Sequence, residues 1–191
     1  MKTNYFRAML LAAVMFAGFN FSYAQTTETQ ANEMNYKHSL EFSPMSPLMN
    51  IYAIQYGYSF DKDNDLILGL TYMSIPYDNI GRTHAPGMIL GYRRNFGKGW
   101  HAEYSIYPMY DHFYEENEDK YYDSFDLWNE FRFGYQYDFT ISGLPVYVKA
   151  QLPFGFGLYG SNKPQKFVDR QKEGDNRFFY KAVIVYFGIR F

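Results

Sequence analysis

Alternation of apolar and polar side chains with a period of two residues constrains the fold of this chain more than any other feature. In the stretch EFRFGYQY (130–137) every second residue is aromatic. Such alternation is typical of strands with one apolar face. Eight segments share it: roughly 36–43, 50–60, 66–75, 87–96, 100–110, 130–137, 145–157 and 178–191. We therefore predict an all-β fold of eight antiparallel strands, with no amphipathic helix.

The connections between these predicted strands alternate between short and long. The short ones are DKDND, GKG and DFTISGL, whose Gly, Asn and Asp residues suit tight reversals. The others are PYDNIGRTHAP, DHFYEENEDKYYD and YGSNKPQKFVDRQKEGDN, with a shorter SPMSPLM after the first strand. In an up-and-down meander alternate connections lie at the same end of the sheet. One end therefore carries tight turns and the other larger loops, as in bacterial outer-membrane barrels.

The first residues indicate export. Two early cations, Lys2 and Arg7, precede an apolar run from Ala8 to Phe21, and small residues stand before a cut near Ala24. This layout is typical of a secretory signal peptide, and the run is too short for a spanning helix. We expect residues 1–24 to be the signal peptide, 25–35 a flexible lead-in and 36–191 the strand-rich domain.

The polar face of the predicted strands favours a membrane barrel over a soluble one. A soluble lipocalin-like barrel turns its apolar face inward around a ligand and exposes its polar face to water. Here many positions on the polar face are Gly, Ser or Thr, which suits the cramped interior of eight strands. Aromatics make up 22% of the chain, and tyrosine is frequent near strand ends, as in an aromatic girdle. We therefore predict an eight-stranded, antiparallel, up-and-down transmembrane β-barrel.

These features resemble the small outer-membrane barrels of the OmpX and OmpA-barrel type in Gram-negative bacteria. In that family the last strand ends in an aromatic with apolar residues at alternate positions, and the barrel assembly machinery reads this signal. Phe187, Ile189 and Phe191 match it, whereas the family's usual glycine five residues before the end is Tyr186 here. The resemblance implies a monomer in the outer membrane, in contact with lipid and lipopolysaccharide.

Charged residues in the phase of the polar face form the main candidate site. They come from five predicted strands and comprise three acids and three bases. Buried charges are costly unless they are paired, so we expect a salt-bridge network that plugs the lumen. A narrow ion or proton path gated by the network is the alternative. The six residues are Glu41, Arg93, Glu103, Glu130, Arg132 and Lys149.

Two larger connections contain further charge. Five cations near the predicted outer rim could contact lipopolysaccharide phosphates, or simply be solvated: Lys163, Lys166, Arg170, Lys172 and Lys181. The segment 111–123 is acidic, but its spacing matches no calcium-binding loop. We expect neither a metal site nor a cofactor.

No residue pattern supports catalysis strongly. His101, Glu103 and Ser105 alternate on one strand, but residues two apart on a strand are ~6.6 Å apart, too far for a nucleophile–base hydrogen bond. The net charge of −2 argues against nucleic acid as a partner. We expect a non-enzymatic structural or surface-interaction role. The alternatives are a soluble binder of an apolar ligand, a lipid A-modifying enzyme and a narrow solute channel.

Overall fold

The computed structural model describes residues 36–173, 178–179 and 183–191, and Tyr36–Phe191 form one compact unit. The predicted signal peptide (1–24) and lead-in (25–35) lie outside the described residues. A 3-10 helix, Ser46–Met49, and one α-helix, α1 (Gln165–Glu173), accompany ten strands in the described part. The strands are β1 (His38–Phe42), β2 (Ile51–Ser59), β3 (Asn64–Met73), β4 (Pro76–Tyr77), β5 (Gly81–Asn95), β6 (Trp100–Glu115), β7 (Lys120–Ile141), β8 (Leu144–Leu158), β9 (Phe178–Phe179) and β10 (Ile184–Arg190).

Antiparallel pairing joins the strands into one sheet that returns on itself. The order is β1, β2, β3, β5, β6, β7, β8, β10, and β10 pairs with both β8 and β1. These eight strands therefore form a ring, while β4 and β9 are short additions to β5 and β8. The all-β, antiparallel prediction is confirmed.

Local backbone chemistry explains the short turns at one end of the ring. Ser142 and Gly143 both have positive φ (51° and 83°), the conformation of the tightest hairpin turns. In the β2–β3 turn the Asp61 carboxylate accepts hydrogen bonds from the Asn64 amide (2.7 Å) and the Asp63 backbone N–H (2.8 Å). These bonds favour the ionised carboxylate and lower the pKa of Asp61. We call this end of the ring the turn end and the opposite end the loop end.

The loop end differs from the sequence-based prediction in two places. β6 and β7 extend as a paired hairpin up to Glu115 and Lys120, so much of the acidic segment 111–123 is strand. The prediction that no amphipathic helix is present is wrong, because Gln165–Glu173 is the helix α1. Its sequence, QKFVDRQKE, has only two apolar residues, the adjacent Phe167 and Val168, so no apolar residue recurs at helical spacing to indicate a helix.

The two faces of the ring have opposite compositions. Most large apolar side chains of the strands point outward and are 36–64% exposed, while a smaller set that includes Ile67 and Ile89 is buried inside. Charged and amide side chains point inward, and several of the longest are 0–3% exposed, such as Lys149, Arg93 and Gln151. This is the reverse of the distribution in a water-soluble domain, where Lys and Glu are almost never fully buried.

Candidate functional site: the charged interior

The six charged residues predicted from the sequence all lie in one ion-pair network inside the ring, nearer the turn end. Arg93 of β5 pairs with Glu41 of β1 at 2.8 Å and with Glu103 of β6 at 2.9 Å. Lys149 of β8 lies 2.6 Å from Glu41 and 3.8 Å from Glu103. All four side chains are at most 3% exposed, so each charge depends on its partners rather than on water.

Arg132 extends the network to the other side of the ring. Its guanidinium pairs with Glu103 at 2.9 Å and with Glu130, its neighbour two residues earlier on β7. Glu103 therefore receives charge-assisted hydrogen bonds from two arginines, which are stronger than hydrogen bonds between neutral groups.

The sequence analysis missed the polar side chains that complete the network. The Tyr147 hydroxyl donates to Glu41 at 2.7 Å, and the Tyr107 hydroxyl accepts from Arg132. Asp65 lies 3.4 Å from Arg93 at the turn end. Tyr147 and Tyr107 stand at inward positions of their strands, and this was the only sign in the sequence that they join the network. An inward tyrosine, however, can equally well just fill space in the lumen.

His101, Glu103 and Ser105 lie in a row on the inward face of β6 without forming a catalytic arrangement. The Ser105 hydroxyl donates to Glu103 at 3.1 Å. His101 is held elsewhere, since its Nε2 lies 2.9 Å from the Gln151 amide nitrogen and its Nδ1 lies 3.3 Å from the Gly99 carbonyl. A nucleophile needs a hydrogen bond to its base, and among the described contacts His101 and Ser105 share none.

A second charged cluster closes the loop end. Lys163 precedes α1 and reaches into the ring, where it pairs with Asp111 of β6 and with Asp126 of β7, the latter at 2.8 Å. Its side chain is 1% exposed. Lys163 is thus held by two inward carboxylates here, whereas its contact with lipopolysaccharide stays a prediction.

Helix α1 lies over the same end as a lid. Phe167 is 2% exposed and packs on Phe113, Tyr77 and Tyr159, with ring centroids 5.1–5.5 Å apart. The ring of Tyr77 in β4 is shielded as well, and burial raises the pKa of its hydroxyl well above the ordinary value. The contacts of Phe167 and Lys163 together hold the lid in place.

A cavity of about 190 Å³ lies between the network and the lid. Its walls are mostly apolar and include Met109, Ala85 and Trp128. Its polar lining includes Gln55 and the network members Glu130 and Arg132, whereas Phe167 of the lid and Tyr77 of β4 line the loop-end side. The interior is thus charged at both ends and apolar between them.

The remaining predicted basic residues have different positions. Lys166 is 57% exposed and 3.9 Å from Glu115, while the Arg170 guanidinium lies 5.7 Å from the centre of the Tyr77 ring. Lys172 lies in α1, and Lys181 falls outside the described residues, so the structure gives no contact for either side chain. Contact of Lys166, Arg170, Lys172 and Lys181 with lipopolysaccharide stays a prediction.

Phe187, Ile189 and Phe191 are all exposed on the outward face. Phe191 and His38 exchange two backbone hydrogen bonds, and their rings stack with centroids 5.7 Å apart. This pairing continues the β1–β10 contact to the turn end. Recognition of these residues by an assembly machinery stays a prediction.

Comparisons with models of protein families, with curated proteins and with solved structures find no match. In the described ranges no helix is both long enough and apolar enough to cross a membrane. Over the same residues, no group of three or more His, Asp or Glu is placed to hold a metal ion.

Proposed function

We propose that the ring is an eight-stranded transmembrane β-barrel in the outer membrane of a Gram-negative bacterium, with a structural or surface-interaction role and no enzymatic activity. One observation carries the proposal: the exposed apolar side chains are outside the ring and the paired charges are inside it. Only an apolar surrounding makes this distribution favourable, because soluble monomers rarely expose apolar patches beyond a few hundred Å².

Aromatic side chains at both edges of the outward surface support this placement. Near the turn end the exposed rings include Phe60, Phe96, Trp100 and Tyr137, and near the loop end Tyr52, Tyr72, Tyr110 and Phe125. Trp100 and Tyr110 are ten residues apart on β6, which at ~3.4 Å per residue and a tilt of ~45° corresponds to about 25 Å along the membrane normal. The apolar band of known outer-membrane barrels has this height.

The interior argues against the soluble, lipocalin-like alternative. In that alternative the apolar face would have to surround the ligand, whereas Leu68, Leu70 and Phe131 point outward and are 49–63% exposed. The inward positions include Arg93, Glu103 and other ionised groups, together with a smaller buried apolar cluster that contains Ile67 and Ile89. In water this arrangement would expose the apolar face and bury the charged one.

The network also favours a closed lumen over an open channel. Its members come from β1, β5, β6, β7 and β8, so their side chains meet across the ring rather than lining its wall. We therefore expect the protein to conduct ions poorly, and we place its outward role in the loop end, where β6 and β7 extend beyond Tyr110 and Phe125.

The test is the behaviour of the full chain in isolated outer membranes. We expect it in the membrane fraction, with faster gel mobility before boiling in SDS than after, and no steady conductance in planar bilayers. Leu68→Arg places a charge in the middle of the apolar band and should cost about 2–4 kcal/mol, so this variant should be lost from the membrane fraction. Asn117→Arg, in the exposed hairpin turn, is the matched control and should insert normally.

A soluble protein without a heat-dependent mobility shift would refute the membrane proposal and favour the soluble binder. Steady conductance would favour the channel alternative. An altered lipid A mass that depends on the protein would favour the enzymatic one.

A further inference from the structure

The cavity between the network and the lid is larger than an ordinary packing gap. Protein interiors contain few voids larger than a water molecule, and an apolar cavity of 150 Å³ in another protein is large enough to bind benzene. The cavity here measures about 190 Å³. It has space for a small organic molecule of roughly the size of a substituted benzene.

Two side chains on the wall lack hydrogen-bond partners within the described residues. Gln55 Oε1 and Thr71 Oγ1 are both buried, their residues being 2% and 5% exposed. They belong to the adjacent strands β2 and β3, and both residues line the cavity. Buried polar atoms normally find a partner. A ligand that donates hydrogen bonds to this side of the cavity would supply it.

The charges around the cavity favour a cation. Three carboxylates line the cavity, Asp111, Asp126 and Glu130, and only two cations pair with them, Arg132 and Lys163, which leaves one carboxylate in excess. At the lid, Asp111 and Asp126 share the single ammonium of Lys163. An added cation is therefore attracted, and an added anion is repelled.

We propose that this cavity binds a small amphipathic amine, with its apolar body among Met109, Ala85 and Trp128 and its ammonium directed to Gln55 and Thr71. The site is independent of the membrane proposal, since it uses only inward side chains. Phe167 of the lid and Tyr77 of β4 cover the loop-end side of the ligand.

Trp128 makes the proposal directly measurable. The chain contains two tryptophans, Trp100 on the outward surface and Trp128 on the cavity wall. Trp100→Phe leaves Trp128 as the reporter, and Trp128→Phe leaves Trp100 as the control for partition into lipid or detergent. Three probes of similar size differ in charge: phenethylamine (cation), ethylbenzene (neutral) and phenylacetate (anion).

In the refolded full chain with Trp100→Phe, we expect phenethylamine to change the Trp128 emission saturably and to bind about tenfold more tightly than ethylbenzene. Phenylacetate should give no saturable change. Thr71→Val keeps the shape and removes the hydroxyl, so it should weaken phenethylamine about fivefold and leave ethylbenzene unchanged. Ala85→Leu, which occupies the cavity, should abolish both.

Absence of saturable binding by any probe would overturn the proposal and would indicate that the cavity holds only water. Equal binding of the anion and the amine would overturn the cationic specificity, as would an unchanged amine affinity in Thr71→Val. The Thr71→Val result decides the matter even if Ala85→Leu does not fold, because a buried threonine hydroxyl without a partner contributes little to stability.

Discussion

Lys149→Met tests whether the interior network stabilises the fold. The ammonium lies 2.6 Å and 2.7 Å from the two carboxylate oxygens of Glu41 and is fully buried. Met is similar in length but uncharged, so it fills the space and leaves Glu41 with one cationic partner, Arg93. Removing one partner of a buried ion pair costs about 3–5 kcal/mol, because an uncompensated charge remains. We expect a loss of this size in the free energy of unfolding.

The assay is urea unfolding of the protein refolded in phospholipid vesicles, followed by tryptophan fluorescence. Lys62→Met is the matched control, since Lys62 is exposed in the β2–β3 turn and its loss should change stability by less than about 0.5 kcal/mol. Combining Lys149→Met with Glu41→Gln removes both charges and should recover about 2 kcal/mol of the loss. A loss below about 1 kcal/mol, or a double variant no more stable than the single one, would refute the reasoning.

Three further predictions concern other parts of the ring. Gly155→Ala would place a methyl group 2.5 Å from the Trp128 ring. In a Trp100→Phe background the emission of Trp128 should therefore shift. An unchanged spectrum would mean that the Trp128 ring does not lie beside Gly155. Phe167→Ala removes a 2% exposed lid side chain and should increase acrylamide quenching of Trp128 in that background, whereas the exposed Lys166→Ala should not. Phe191→Ser should lower the amount of the protein in the outer membrane without impairing its refolding in detergent. Tyr137→Ser changes a similarly exposed aromatic residue and should leave both quantities unchanged. Equal effects of the two variants would contradict a specific assembly signal.

The strands could be predicted because their signal is local and repeated. Alternation over β2, β3 and β7 needs only neighbouring residues, and the charges in its polar phase identified six of the seven charged residues of the interior network, missing Asp65. Strand ends were less predictable. The sequence predicted a start near residue 87, because Pro86 and the nearby glycines are typical of a connection. In the structure β5 begins at Gly81, and Pro86 lies within the strand opposite Tyr72.

The loop end could not be predicted because its contacts join residues far apart in the chain. Lys163 appeared to be one of several loop cations, and its inward position depends on Asp111 and Asp126, which are 52 and 37 residues away. Helix α1 is held in place by the packing of Phe167 against aromatic rings from three other segments of the chain. The cavity follows from that lid, so no pattern in the sequence indicates it.

The pairing of charges across the ring has a consequence for how the chain folds. Glu41 is 108 residues from Lys149 and 52 from Arg93, so a partly assembled sheet leaves these charges without partners. Such an intermediate is unfavourable in hydrocarbon, where an ionised side chain needs a partner or water. We expect the last strand pairing and the joining of the charges to occur in one cooperative step, with half-formed sheets too unstable to accumulate.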